Sequence, residues 1–209
     1  TPNINRLAAE GVRFTDAHSA CALCTPTRYG IMTGRYYWRT PKKHSLVMPY
    51  EPPTIEPDRL TIASMLKQQG YRTACVGKWH LTPGEECNLA AYKGRWPLGR
   101  GFERFYGWLG GETNSYFPDL VHDNHPIEPP ARPEDGYHLN IDLADHAIQF
   151  VKDAHIHAPD KPFFIYAPFT APHFPAEAHP DWKEKSSNGA YGDVVEELDF
   201  RIGEIFATL

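Results

Sequence analysis

Apolar residues recur at helical spacing in several separate segments of the chain, each bounded by a residue that favours the start or end of a helix. Asn3 and Thr61 are typical N-caps, and glycines follow the apolar residues near positions 11, 34 and 70. The strongest pattern lies near the end of the sequence. We predict helices from Asn3 to Gly11, Pro26 to Thr33, Thr61 to Gly70, Asn140 to Val151 and Tyr191 to Phe206.

Three other segments have the pattern of strands. Val12–Ala17 alternates like a half-buried strand, Thr73–Gly77 follows a predicted helix, and Phe163–Ala167 is a continuous apolar run typical of a central strand. Helices that alternate with buried strands predict an α/β protein with a mixed, mainly parallel sheet flanked by helices. Residues 82–138 show no clear periodicity and many aromatic residues, which predicts an irregular loop or lid region.

Composition restricts the classes of partner. The 209 residues include 21 Lys and Arg against 26 Asp and Glu, a formal charge of -5, so we expect no general affinity for nucleic acid. We expect no membrane span, because no apolar run reaches the roughly 18 residues that one requires. The sequence begins at Thr1 without Met and ends on an apolar helix tail, so we expect a piece of a larger protein.

Candidate chemistry follows the predicted strands, where parallel α/β sheets bind ligands. Cys24 lies where a helix begins, an environment that favours negative charge, and Arg28 follows it by one turn. Lys78 and His80 share a face after the strand at 73–77, and His173 lies between two prolines after the strand at 163–167. Each residue alone has a structural explanation. Together they fit the binding and cleavage of a tetrahedral anion.

Two alternatives give the cysteines a role other than cleavage of an anionic ester. His18, Cys21 and Cys24 are three residues apart and Cys87 could complete a zinc set, although a second Cys-x-x-Cys pair is absent from the sequence. Cys21 and Cys24 could instead form a thiol redox pair at a helix start. The redox alternative leaves Lys78, His80 and His173 unexplained.

Two longer motifs resemble the signatures of the formylglycine-dependent sulfatases, arylsulfatase type, of the alkaline-phosphatase-like superfamily. The first is Cys24–Arg28 followed by Met32–Arg35, and the second runs from Gly70–Ala74 into Gly77–Leu81. The resemblance extends over nearly the whole chain. It implies that residues 1–209 are a partial N-terminal sulfatase catalytic domain, lacking its first strand and C-terminal part.

The resemblance also implies a mechanism. Cys24 would be oxidised to formylglycine (3-oxoalanine), whose hydrate is the nucleophile that forms a covalent sulfo-enzyme intermediate. Arg28 would stabilise the hydrate, and Lys78 would hold the sulfate. His80 would be the base that frees sulfate, and His173 would help to protonate the leaving alcohol.

The family further implies Ca²⁺, with the oxygen at Cys24 as one ligand and the remaining ligands outside the chain, so we expect the 209-residue piece to be inactive by itself. Expected partners are a sulfated small molecule or glycan and a formylglycine-generating enzyme. The expected location is periplasmic, secreted or lysosome-like. Phosphonate and phosphodiester hydrolases of the same superfamily use a similar nucleophile site and remain an alternative.

Overall fold

The computed structural model describes residues 1–40 and 54–209. The five predicted helices are confirmed, but Asn3 lies inside its helix, whose N-cap is Thr1, and the helix predicted to end at Val151 continues to His157. The helices are α1 (Pro2–Glu10), α2 (Cys24–Thr33), α3 (Ile62–Gln68), α4 (Leu139–His157) and α5 (Gly189–Phe206). The strands are β1 (Arg72–Lys78), β2 (Arg104–Trp108), β3 (Leu120–His122), β4 (His125–Ile127) and β5 (Phe163–Tyr166).

The strands form one mixed sheet in the order β4-β3-β2-β1-β5. The three longest strands are parallel, since β1 pairs with β2 on one side and with β5 on the other. The short strands β3 and β4 extend the sheet in antiparallel fashion beyond β2. The predicted α/β class is therefore confirmed, and β1 lies in the middle of the parallel group.

The sheet has an apolar core on each face, because successive side chains of a strand point to opposite sides. Cys75 and Phe105 pack on one face with residues of α2 and α3. Val76 and Tyr106 pack on the other face with residues of α4. This three-layer arrangement holds the carboxyl end of β1 between two packed layers and fixes the position of the residues immediately after it.

Local sequence explains how the helices begin and end. Thr61 caps α3 by accepting a hydrogen bond from the Ser64 amide at 3.1 Å. Gly34 ends α2 in the left-handed conformation, with φ of 65°, that glycine adopts without strain. Both ends agree with the prediction from these two residues.

Three predictions about strands are corrected. Residues 12–17 form no strand, and Val12 and Phe14 are 76% and 77% exposed, because no strand among the described residues pairs with them. The run at 163–167 is a half-buried edge strand among the described residues rather than a central one.

The third correction concerns residues 82–138, which contain β2, β3 and β4. Phe105, Tyr106 and Trp108 are buried on both faces of the sheet, so their apolar run has no alternation to detect. The aromatic residues are thus core residues of a strand.

No helix among residues 1–40 and 54–209 combines the length and the apolar character that crossing a membrane requires.

Candidate active site

The candidate site lies where β1 and β5 end and α2 begins. The first residue of α2 is Cys24, whose side chain is partly buried, and Leu23 is the N-cap. Amide groups in the first turn of a helix have no partner within the helix, so they favour an anionic group. An open pocket at this point is lined by residues of α2 and its preceding loop, including Cys21, Cys24 and Arg28, and by Tyr166 of β5.

Arg28 ties the three elements together. Its Nη1 donates to the carbonyl oxygen of Lys78 at 2.6 Å and to the hydroxyl of Tyr166 at 3.2 Å. Its Nε is buried and has no hydrogen-bond partner in the described part of the chain. The guanidinium is thus held by neutral oxygens, which leaves its positive charge available to an anion.

Lys78 is 4% exposed although it carries an amine. Burial lowers its pKa, because removing the charged amine from water is unfavourable, and Arg28 lowers it further. The Cys24 side chain raises this pKa through charge and a hydrogen bond, and Glu112 also raises it. Lys78 therefore lies directly against Cys24.

His80 is also buried, and the main chain holds it in the left-handed region with φ of 53°. Its carbonyl oxygen accepts from Thr25 Oγ1 at 3.2 Å, and its amide donates to the Leu109 carbonyl at 3.1 Å. Gly111 lies against the ring, since a Cβ there would be 2.8 Å from Cε1. These contacts fix the imidazole between α2 and the segment after β2.

Burial lowers the pKa of His80 to about 4, and the neighbouring Lys78, Arg28 and His173 lower it further. The ring is therefore neutral at physiological pH. Its Nδ1 is buried without a hydrogen-bond partner in the described residues. A neutral imidazole with an unpaired nitrogen can accept a proton.

His173 lies on the connection after β5, between the cis peptides that precede Pro172 and Pro175. Its Nδ1 is 2.7 Å from the carbonyl oxygen of Phe174, so the tautomer that donates there leaves Nε2 for another partner. The side chain is exposed, and it lies close enough to His80 to contribute to the lowering of the pKa of that ring. The structure thus brings together all five residues singled out from the sequence.

The close approach of three backbone segments supports this assembly. A Cβ on Gly77 would lie 2.3 Å from the carbonyl oxygen of Pro168, and a Cβ on Gly107 would lie 2.0 Å from that of Gly77. Both glycines have positive φ, 128° and 152°. Only glycine permits this contact, which sets the distance from Lys78 to the connection after β5.

Sequence reasoning missed two residues of this site. The apolar pattern places Tyr166 only in a strand, although a tyrosine at the carboxyl end of a strand is a signal for a polar role there. Glu112 lies in a stretch without periodicity, and no sequence signal links it to Lys78.

The arrangement does not support a zinc site. His18 pairs instead with Asp16 at 2.7 Å on the surface, and Cys87 donates to the Pro83 carbonyl. No group of three or more His, Cys, Asp or Glu side chains that could hold a metal ion occurs within residues 1–40 and 54–209. Cys21 and Cys24 are free thiols, so the redox alternative has no disulfide to support it.

Comparison with known proteins identifies relatives of this chain. A family model described as Sulfatase matches residues 1–209. The N-acetylgalactosamine-6-O-sulfatase of Bacteroides thetaiotaomicron is 31% identical, and the match covers 100% of this chain and 50% of that protein. Human arylsulfatase A is 30% identical, with 100% of this chain and 43% of that protein covered.

Solved structures agree. The crystal structure of Ps i-CgsB in complex with k-i-k-neocarrahexaose is similar with a TM-score of 0.80 and 26% identity, over 100% of this chain and 49% of that one. A protein of the alkaline phosphatase superfamily from Vibrio parahaemolyticus shares the fold, with a TM-score of 0.56 and 19% identity over 100% of this chain and 44% of that one. The chain spans about half the length of the curated relatives it matches.

Proposed function

Because the chain belongs to the sulfatase family, we propose that the protein carrying it hydrolyses sulfate esters at Cys24. The observation that carries the proposal is the convergence of Lys78, Arg28 and His80 on the start of α2. Two cations and a neutral base beside one nucleophile position are what transfer of an anionic group requires.

The nucleophile in this proposal is the hydrate of formylglycine, made by oxidation of Cys24. One hydroxyl of the hydrate loses its proton to solvent and its oxygen attacks the ester sulfur, the sulfur–oxygen bond to the alcohol breaks, and a covalent sulfate remains on residue 24. Lys78 stabilises the charge on the sulfate oxygens and Arg28 the hydrate. For this step His173 carries a proton on each ring nitrogen: Nδ1 donates to the Phe174 carbonyl, and Nε2 gives its proton to the leaving alcohol.

The second step releases sulfate. His80 takes the proton from the remaining hydroxyl, the carbon–oxygen bond to the sulfate breaks, and the aldehyde forms again. The low pKa of His80, about 4, supports this role because the ring begins the step neutral. The bound sulfate then favours the protonated ring, which stabilises the product of the transfer.

Ca²⁺ belongs to the proposal as a further source of positive charge at the sulfate. The described residues hold no cluster that fits it, and only the oxygen formed at residue 24 is assigned as a ligand. Both chemical steps are assigned to residues of this chain. Because the other Ca²⁺ ligands are expected outside residues 1–209, we propose that this chain without the rest of the protein does not turn over.

The proposed substrate is a sulfated glycan or an aryl sulfate, supported by the names of the two relatives. We further propose a formylglycine-generating enzyme as the maturation partner and a periplasmic, secreted or lysosome-like location. Fractionating the native host and probing each fraction for the protein would test this location.

The decisive experiment combines mass spectrometry with competing assays. The peptide that contains Cys24 from the full-length protein is expected about 18 Da lighter than the thiol form, which is the difference between a CH₂SH group and an aldehyde; a Cys21–Cys24 disulfide or a zinc adduct would contradict the proposal. Cys24→Ala should abolish hydrolysis of a sulfate ester.

Matched phosphate diesters and phosphonates provide the competing substrates. Faster turnover of these than of sulfate esters would assign the protein to the phosphonate and phosphodiester hydrolases instead. Turnover by the purified 209-residue chain would show that the site needs nothing further.

A further inference from the structure

Helix α5 carries three buried carboxylates that bind main-chain amides of three separate segments. Asp193, Glu197 and Asp199 are 4%, 0% and 1% exposed. A buried carboxylate must be hydrogen-bonded to be tolerated, so each one fixes the segment that supplies its donors. Asp193 accepts from Glu184, Lys185 and Ser186, Glu197 from His179, and Asp199 from Asn3 and Ile4.

Glu197 differs from the other two because it also meets a buried histidine. Its Oε2 accepts from the amide of His179 at 2.9 Å. Its Oε1 lies 3.4 Å from Nδ1 of His138 and 3.8 Å from Nε of Arg201. The side chains of His138 and Glu197 are both fully buried.

His138 precedes α4 and forms a bridge between that helix and the connection after β5. Its Nε2 is 3.1 Å from the carbonyl oxygen of Glu177, so the ring can donate there while Nδ1 faces Glu197. Glu177 and His179 are therefore held at two adjacent points, one by His138 and one by Glu197.

The same connection carries His173 and is anchored again near its start. Lys78 donates its amide to the carbonyl of Pro168 at 2.9 Å, which ties the connection to β1. His173 lies between these anchors and its own ring contact is to the adjacent Phe174 carbonyl. Nothing in that local contact joins the imidazole to the body of the protein, so its position depends on the anchors on either side.

From this arrangement we propose that Glu197 and His138 are positioning residues for His173: they fix the connection after β5 so that the imidazole reaches the leaving alcohol. The inference rests on the proposed function and deepens it. Neither residue touches the reacting atoms, since both act through Glu177 and His179. Small displacements of a proton donor lower its contribution steeply.

The test measures kcat/KM of the full-length protein on aryl and alkyl sulfates whose leaving alcohols differ in pKa. A poor leaving group needs protonation more, so loss of a correctly placed acid penalises high-pKa alcohols most. Glu197→Ala should lower kcat/KM by roughly tenfold to a hundredfold on an alkyl sulfate and much less on an activated aryl sulfate. His173→Ala should show the same selective loss.

Two further variants separate positioning from general stability. Glu197→Gln retains an oxygen for the His179 amide and, while Nε2 of His138 donates to Glu177, can turn its NH₂ group towards Nδ1, so it should keep most of the alkyl-sulfate activity. Asp199→Ala removes a buried carboxylate from the same helix, but one that binds α1. It should destabilise the protein without changing the dependence on leaving-group pKa.

The outcomes distinguish this inference from the proposed function. An active Glu197→Ala protein with the wild-type leaving-group dependence, beside a steeper dependence in His173→Ala, would overturn the inference alone. An unchanged dependence in His173→Ala would overturn the inference and the role of His173 as acid. No sulfate-ester turnover by the matured wild type would overturn the proposed function as well.

If Glu197→Ala does not fold, His138→Leu removes the same bridge from the α4 side. It should show the same selective loss of kcat/KM on alkyl sulfates. Hydrogen exchange gives a readout without turnover. The amides of residues 174–179 should exchange faster in whichever of these variants folds than in Asp199→Ala, and equal exchange would contradict the anchoring.

Discussion

Cationic side chains lie at both the amino and the carboxyl ends of the parallel strands, but the groups that contact these cations differ between the two ends. At the amino end, Arg72 pairs with Glu103 at 3.1 Å and Arg104 with Asp123 at 3.2 Å. At the carboxyl end, Arg28 is held by a carbonyl and a hydroxyl, and Lys78 by the Cys24 side chain. Cations neutralised by carboxylates stabilise a fold, whereas Arg28, whose hydrogen-bond partners are neutral oxygens, leaves its charge available to an anion.

Burial sharpens the contrast. The side chains of Arg72 and Arg104 are 40% and 49% exposed, so water screens their pairs. Lys78 is 4% exposed, so little water screens its charge, and the binding of a sulfate beside it becomes more favourable. The difference predicts where substitutions affect activity and where they affect only stability.

The largest expected effect is on catalysis at the carboxyl end. Lys78→Met keeps the length of the side chain but removes its charge, and should lower kcat/KM for a sulfate ester in the full-length protein by roughly 100-fold to 1000-fold. Arg72→Met is the matched control, since it removes a cation from the other end of the same strand. Similar losses of kcat/KM in both variants would contradict the proposed difference between the two ends of the strands.

An intermediate effect is expected on stability as a function of pH. The pKa of His80 is lowered to about 4 in the folded chain, whereas an unfolded His titrates near 6.5. The unfolded state therefore binds protons first, so the free energy of unfolding should fall as pH decreases from about 6.5 towards 4.

Inorganic sulfate should reverse part of this loss, because it stabilises the protonated ring and the neighbouring cations. Thermal unfolding at pH 5 and pH 8 would measure it, with a larger sulfate-induced rise in Tm at the lower pH. An equal rise in Lys78→Met would contradict an anion site at this end.

The smallest effects are expected from single hydrogen bonds and surface pairs. Tyr166→Phe removes the hydroxyl that accepts from Arg28 and should cost about 0.5–1.5 kcal/mol in the free energy of unfolding. Arg72→Met should cost no more than about 1 kcal/mol, since its pair with Glu103 is exposed to solvent. Urea unfolding of both variants would measure these costs, and a loss well above about 1 kcal/mol in Arg72→Met would contradict a solvent-screened pair.

The helices could be predicted because each one carries its own signals. Thr61 caps α3 and Gly34 ends α2 in the structure as the sequence indicated. Strands were harder to predict, because a strand exists only where a neighbour pairs with it. Residues 12–17 alternate without a described partner, and the aromatic residues of β2 have partners without alternating.

The candidate site was predictable in part for a similar reason. The carboxyl ends of parallel strands meet at one edge of a sheet, so Lys78, His80 and His173 could be placed together once the strands were assigned. The hydrogen bond of Tyr166 to Arg28 and the effect of Glu112 on the pKa of Lys78 depend on distances across the sheet that no local spacing encodes.

By itself, the sequence determined the helices, the α/β class and the five residues at the start of α2 and the ends of β1 and β5, because caps, glycines and periodicity act over a few neighbouring positions. Only the tertiary structure decided that Lys78 is buried against Cys24, that His80 is neutral, and that Glu197 reaches His179 and His138. Burial and pKa depend on the groups that surround a side chain in space, and the packing of distant segments sets those surroundings.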